Sequence, residues 1–299
     1  MAGAAAAFAP PVQQHVAALL DQTGMVGMRK PSAILAFATP AKLSRHFASM
    51  GYDLDAVRKD NMPVPRVFLS KMPDGLSALK QSRERKAVFL RLMLPLVLNA
   101  NERVLRQRAQ LLVFDAKLAA GSELRPDQQH RLEAIAAEYK TDPNRLDLLL
   151  RRVDAVPPSL ALAQAAIESG WGTSRFVREG NAAFGQWTTA KHKGIVPSGR
   201  DVGKSHKIRS FDHLGDSVRS YIHNLNTHRA YAGLRDMRTS MRSEGKRLAG
   251  HNLLPAMISY SEKKGAYLDL LRSVIRTNKL APLDAARLSD KSPHEGSDV

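Results

Sequence analysis

The chain has 299 residues, 43% of them apolar and 24% charged, which is enough to build a packed core and too apolar for a disordered protein. Its 45 Lys and Arg outnumber 28 Asp and Glu, and the net charge of +17 favours anionic partners: nucleic acid, anionic lipid or acidic cell-wall polymers. The absence of cysteine excludes disulfides, thiolate chemistry, iron–sulfur clusters and cysteine zinc sites, and leaves the redox compartment unread.

At the start, MAGAAAAFAPP shows neither a basic leader nor a long apolar run, although Ala7, Phe8 and Ala9 have the small-x-small form of a signal-cleavage site. The sequence therefore begins inside or just after an export signal, or with an Ala-rich disordered stretch. Short helices are expected at Val12 to Leu20 and Ser32 to Gly51, inside an N-terminal extension over 1–63 that is helical and partly disordered. Val64 to Leu69 reads as an extended segment covering the core. Ser82 to Ala119 has apolar residues at helical spacing, with a kink expected at Pro95. Asn99 and Asn101 read as amides that tie the kink or a nearby loop. The best apolar stretch, Val88 to Leu98, is interrupted by Arg91, so no transmembrane segment is expected.

Helices follow at Arg125 to Tyr139 and, capped by Asp142, at Pro143 to Val153. Pro157 and Pro158 then open an Ala-rich helix ending AQAAIESGWG. Its small residues allow close approach of a neighbour, and Gly170 fits the position just past its end. This puts Glu168 in the last turn of a helix built for burial, beside Trp171. Desolvation and the helix dipole would both resist ionisation there, giving a carboxyl able to act as a general acid; alternatively, Glu168 simply points to water. Thr188 to Ser210 reads as a loop or small β-hairpin, Asp212 to Leu234 as a helix, Leu253 to Lys264 and Ala266 to Asn278 as the last two, and 284–299 as a disordered tail.

Six histidines between His192 and His251 form no HExxH or close triad, and no nucleophile elbow, phosphate loop or dinucleotide fingerprint is present. Neither metal nor cofactor is expected. Basic residues are scattered and aromatics make up only 6%, so no nucleic-acid partner is expected either.

The blocks AQAAIESGWG, Asn181-Ala182-Ala183-Phe184-Gly185 and Trp187, with Ser210-Phe211-Asp212, Ser217 to Tyr221, Tyr231 and Tyr260 to Leu270, resemble the bacterial N-acetylglucosaminidases of glycoside hydrolase family 73. Upstream, VPRVFL, Arg85 to Phe89 and Leu94 to Leu98 with Asn101 resemble the Bax-type subgroup. The resemblance spans Val64 to Leu280. It implies a mainly α fold, with a lysozyme-like helical lobe and a small β-hairpin lobe, preceded by an α-helical N-terminal region. It further implies a helical region over 64–140 packing on a catalytic domain over 141–283, and a periplasmic or cell-envelope location.

The implied activity is cleavage of peptidoglycan glycan strands, with Glu168 as acid and Tyr260 also catalytic. Substrate contacts are expected from Ser169, Trp171, Gly172, Asn181, Phe184, Gln186, Trp187, Tyr221 and Tyr267. For Phe184 and Tyr221, core packing is the favoured alternative, whereas Tyr260 and Trp187 suit a groove. Many family members carry a second glutamate in the β lobe; here Thr188 to Ser210 has Asp201 as its only acid. Asp201 could act as a distant base, the substrate's N-acetyl group could assist, or one acid could support a lytic-transglycosylase-like reaction. A non-catalytic glycan-binding or scaffold protein is the reading from another class, and binding to cell wall without turnover would mark it.

Overall fold

The computed structural model describes residues 34–188, 194–198, 205–260 and 264–290. The helix expected at Val12 to Leu20 lies outside them. In chain order the elements are β1 (Ile34–Leu35), α1 (Pro40–Ser49), α2 (Leu54–Asp60), β2 (Phe68–Leu69), α3 (Ser82–Ala119), α4 (Pro126–Glu138), α5 (Leu146–Arg152), α6 (Pro158–Ser169), α7 (Arg175–Gly180), β3 (Trp187–Thr188), β4 (Lys207–Ile208), α8 (Leu214–Thr227), α9 (Ala232–Ser243), α10 (Gly250–Leu253) and α11 (Lys264–Thr277). The architecture is mainly helical with a small hairpin. No helix among the described residues is long and apolar enough to cross a membrane.

The chain divides into two compact units, with boundaries at 101/102 and 154/155. The reason is α3, which has the expected limits but contributes its first half, through Asn101, to the unit that contains α6. The unit over 102–154 has its own polar anchor: the buried Tyr139 hydroxyl donates to Gln107 Oε1 at 2.9 Å, and Gln107 Nε2 donates to Glu138 at 2.7 Å. Here Asp142 caps no helix. Its carboxylate accepts from the backbone and side chain of Asn144 in a turn over Pro143 and Asn144, so α5 begins only at Leu146.

The larger unit is built around α6. Pro158 to Ala166 are all buried, because alanines at 161, 163, 165 and 166 let α10, α11 and the 3-10 turn Ala281–Ala285 approach closely. The approach of α10 is tight: a Cβ on Gly250 would lie 2.9 Å from the backbone nitrogen of Leu160. Asn101 holds the loop that enters α6, donating to the Val156 carbonyl at 2.7 Å and accepting from its N–H at 3.0 Å. For Asn101, that is the tying role expected of it.

The first turn of α6 has Pro157 as its cap residue and no side-chain cap of its own. The missing acceptor arrives from Asp284, 125 residues later. One carboxylate oxygen accepts from the Ser159 N–H at 2.7 Å, and the other from the Ser159 hydroxyl at 2.8 Å and the Gly250 N–H at 2.9 Å. A single carboxylate thus caps both α6 and α10 at ends where the dipole favours negative charge. Just beyond, Leu288 is buried and the chain pairs with Val64 through bonds of 2.8 Å from Val64 N–H to Arg287 O and from Ser289 N–H to Val64 O. The region read as a disordered tail is therefore ordered through Asp290, because these bonds join it to the extended segment at Val64; 291–299 lie outside the described residues.

Three other expectations shift for local reasons. Ser32 to Gly51 is not one helix. Thr39 caps α1 through a bond from the Lys42 N–H, Pro40 takes the first helical position, and β1 pairs in parallel with β2. The helix expected over Asp212 to Leu234 breaks at His228, whose backbone is extended (ψ 139°), and the buried Arg235 guanidinium donates to the Leu225 and His228 carbonyls at the end of α8. The helix expected from Leu253 is largely 3-10, over Leu254–Tyr260, where Pro255 has no N–H to donate.

Replacing Asp284 with Ala leaves the Ser159 and Gly250 N–H groups without their acceptor. D284A is expected to lose about 1–3 kcal/mol in urea unfolding, and S159A, which keeps the backbone bond, only about 1 kcal/mol.

Candidate active site

Glu168 lies in the last turn of α6, as expected. The helix ends because Gly170 (φ 57°), Trp171 (φ 58°) and Gly172 (φ 79°) all adopt the left-handed conformation. The turn is closed by the Trp171 N–H to the Ala166 carbonyl at 2.8 Å, and by Ser169, whose hydroxyl donates to the Ala165 carbonyl at 2.6 Å and accepts from the Gly172 N–H at 2.9 Å. Gly172 has no room for a side chain, since a Cβ would sit 2.8 Å from Leu76 and 3.1 Å from Phe89. Trp171 packs edge-on to Phe89 with Lys86 Nζ 4.9 Å above its ring. Ser169, Trp171 and Gly172 thus build the turn that aims Glu168.

The Glu168 carboxyl is surrounded by tyrosines. Tyr267 of α11, itself buried, donates its hydroxyl to Glu168 Oε1 at 3.1 Å. Tyr260 stacks on Tyr267 with ring centroids 5.7 Å apart and planes 6° from parallel, and Tyr231 and Tyr221 lie at 6.0 and 6.4 Å from Tyr260. Four of the six tyrosines in the chain therefore meet here. Burial raises the Glu168 pKa above the ordinary carboxyl range, while the hydrogen bond from Tyr267 acts against that rise. Burial, and then the negative charge of Glu168, push the Tyr231 and Tyr267 hydroxyls upward, so both stay protonated.

Tyr260, expected to be catalytic, donates to the Phe184 carbonyl at 3.2 Å rather than to Glu168. Phe184 and Tyr221 are buried and stacked at 3.9 Å, so both belong to the packing beneath the site rather than to a substrate surface. Asn181 is a clamp: it caps α7 in the left-handed conformation, and its amide donates to the Phe211 and Asp212 carbonyls at 3.1 Å each. Gln186 reaches the Ser220 carbonyl at 3.4 Å, and its own carbonyl accepts from the Arg209 N–H at 2.7 Å.

The expected β lobe is present as β3 paired antiparallel with β4, extended by a bridge between Ile195 and Ile208. Trp187 projects from it, 67% exposed, with one face stacked on His206 at 4.5 Å. Asp201 lies outside the described residues.

Two contributors were not singled out from the sequence. Gln164, fully buried, sits one turn before Glu168 and donates to the Tyr267 hydroxyl oxygen at 3.0 Å. A lone amide four residues before the acid, on the same face of an otherwise apolar helix, was the available signal. Tyr231 had no such local signal beyond its place in the ordered blocks.

Residues 148–280 match the family of glucosaminidases described as mannosyl-glycoprotein endo-beta-N-acetylglucosaminidase. The chain is also 31% identical over 216 residues to protein bax of Escherichia coli (strain K12), a match covering 70% of this chain and 75% of that protein. The chain is a Bax-type member of the glucosaminidase family. Its glucosaminidase region contains α6 to α11, hence Glu168, all four tyrosines of the cluster and the β3–β4 hairpin. The catalytic domain of the autolysin Auto from Listeria monocytogenes is 19% identical, with a TM-score of 0.34, over 56% of this chain and 94% of that one.

Carboxyl-carbon NMR of this glucosaminidase domain should show Glu168 titrating above ordinary carboxyls. Because the Tyr267 bond favours the ionised form, Y267F should move that titration to still higher pH. Ionisation of a buried acid opposes folding once the pH exceeds the ordinary carboxyl value, and the loss is complete above the raised folded value. E168Q should accordingly unfold at higher temperature than wild type at neutral pH, with the difference disappearing in acid.

Proposed function

We propose that this protein hydrolyses the glycan strand of peptidoglycan at a glycosidic bond next to N-acetylglucosamine, with Glu168 as the general acid. The observation that carries the reading is the half-buried carboxyl of Glu168, held at one oxygen by Tyr267 and with its pKa raised by burial. A leaving sugar oxygen needs a proton as its bond to C1 breaks, and a carboxyl with a raised pKa supplies one near neutral pH. Family membership supports the same reaction class, and the basic composition suits an acidic glycopeptide. A peptidoglycan substrate is consistent with a periplasmic or cell-envelope location.

Trp187 serves as a sugar platform on the hairpin, because its exposed indole offers an apolar face. Tyr260 and Tyr267 hold the floor of the site and present polarised rings to the positive charge that develops at C1. Asp201, the only acid between Thr188 and Ser210, is the candidate water-activating base.

A one-acid route to an anhydro sugar is the second reading, favoured by the tyrosine surroundings of Glu168. The two separate by product. Purified protein on isolated cell walls should release reducing ends if water attacks, and anhydro ends if the sugar's own hydroxyl does, as read by mass spectrometry. E168Q should lower the rate by about 10²–10⁴-fold. Equal activity of E168Q and wild type removes the acid role, and wall binding without turnover by wild type identifies a scaffold. D201N should abolish hydrolysis if Asp201 activates water and leave it intact if the N-acetyl group assists.

A further inference from the structure

The two carboxyl oxygens of Glu168 have different neighbours. Oε1 accepts from Tyr267, whereas Oε2 faces Gly185, where a Cβ built on that glycine would lie 3.6 Å away. Behind Tyr267 the polar chain runs inward through buried groups. Gln164 Nε2 donates to the Tyr267 oxygen at 3.0 Å, and Gln164 Oε1 accepts from the Tyr221 hydroxyl. Tyr221 and Gln164 are both fully buried, and Tyr221 is fixed by its stack on Phe184.

An amide between two phenols has two self-consistent arrangements. With the carbonyl toward Tyr221, the Gln164 amide donates to Tyr267, so the Tyr267 proton is directed to Glu168. With the amide reversed, Gln164 takes the Tyr267 proton and Glu168 must donate to Tyr267 itself. The reversed arrangement also leaves the buried Tyr221 proton without the acceptor it has here, which is costly. The choice is therefore made at Tyr221, two residues removed from the acid along the chain of bonds.

We propose that Gln164 is a positioning residue, latched by Tyr221, which directs the Tyr267 proton to Glu168 Oε1 and so keeps the transferable proton of Glu168 on Oε2. The proposal rests on the general-acid reading above. When Oε2 gives its proton to the leaving sugar oxygen, the carboxylate that remains is already hydrogen-bonded at Oε1, so no dipole needs to turn during the reaction. Among the described residues, the titratable groups facing Glu168 are Tyr221 of α8, Tyr231 of the turn Arg229–Tyr231, Tyr260 of the turn Leu254–Tyr260 and Tyr267 of α11.

The test compares full-length wild type, Y221F, Q164M, Y267F and Y221F/Y267F by carboxyl-carbon NMR titration of Glu168, by the pH dependence of kcat/KM on isolated walls, and by thermal unfolding. In Y221F the amide is free to turn and draw the Tyr267 proton away from Glu168. The Glu168 titration and the basic limb of activity should then move together to higher pH, and Q164M should shift them in the same direction. Adding Y221F to Y267F should produce no further shift. A Glu168 titration unchanged in Y221F overturns the proposal, as does an equal shift in the Y267F background, which would mean a packing effect. Y221F removes one oxygen and keeps the ring stack, so it carries the test even if Q164M does not fold. If E168Q is as active as wild type, the acid reading fails, while the NMR titration still decides whether Gln164 orients Tyr267.

Discussion

A carboxyl group held at the end of a helix that is buried along almost its whole length is the constraint on which the rest of this fold depends. At the C-terminus of α6 the dipole opposes a negative charge, and burial opposes it more. Such a group is costly in a folded protein unless its position is enforced. The enforcement comes from both ends. At the start of α6, Asn101 and Asp284 hold the first turn and its approach; at the finish, three consecutive left-handed residues and the Ser169 hydroxyl close the turn. Alanines between these ends bring α10 and α11 close enough to carry Tyr267 to the acid.

The tyrosine cluster gives this burial a chemical use. A purely apolar pocket would raise the Glu168 pKa and leave its carboxylate form unsupported after proton transfer. A carboxylate partner would instead lower the stability of that form by repulsion. Phenol hydroxyls sit between these cases: they stay neutral and offer one directed proton each. The Tyr267 bond therefore moderates the rise that burial produces without reversing it. The separation of roles along α6 is then physical: Gln164 faces the interior and orients, whereas Glu168, one turn later, is only partly buried and can meet a substrate.

What the sequence made legible was local. Helical spacing gave the limits of α3, the proline pair and Gly170 bracketed α6, and the loss of periodicity after Trp187 located the hairpin. Each of these is encoded within a few residues. The ordered blocks added the family and singled out Glu168 as the candidate acid. What stayed hidden is carried by bonds between distant positions: Asp284 to Ser159, Tyr221 to Gln164, and Arg235 to the end of α8. Asp284 looked like part of a charged tail because its partners lie 125 residues earlier. Ser169, Gly172 and Asn181 stand out in the sequence through the family blocks, and their structural work, closing the end of α6 and, for Asn181, capping α7, depends on backbone geometry that the blocks do not display. His228 broke a periodic run for a similar reason, since its carbonyl has a buried guanidinium as partner.

The central claim is that the protonated form of Glu168, sustained by its surroundings, does the chemistry. It is tested most directly by measuring the pH dependence of kcat/KM for wild-type protein on isolated cell walls and overlaying it on the carboxyl-carbon titration of Glu168 in the same protein. The account predicts that activity falls with rising pH along the same curve on which Glu168 loses its proton. Activity that persists unchanged through that ionisation, or that rises as Glu168 becomes ionised, would contradict it.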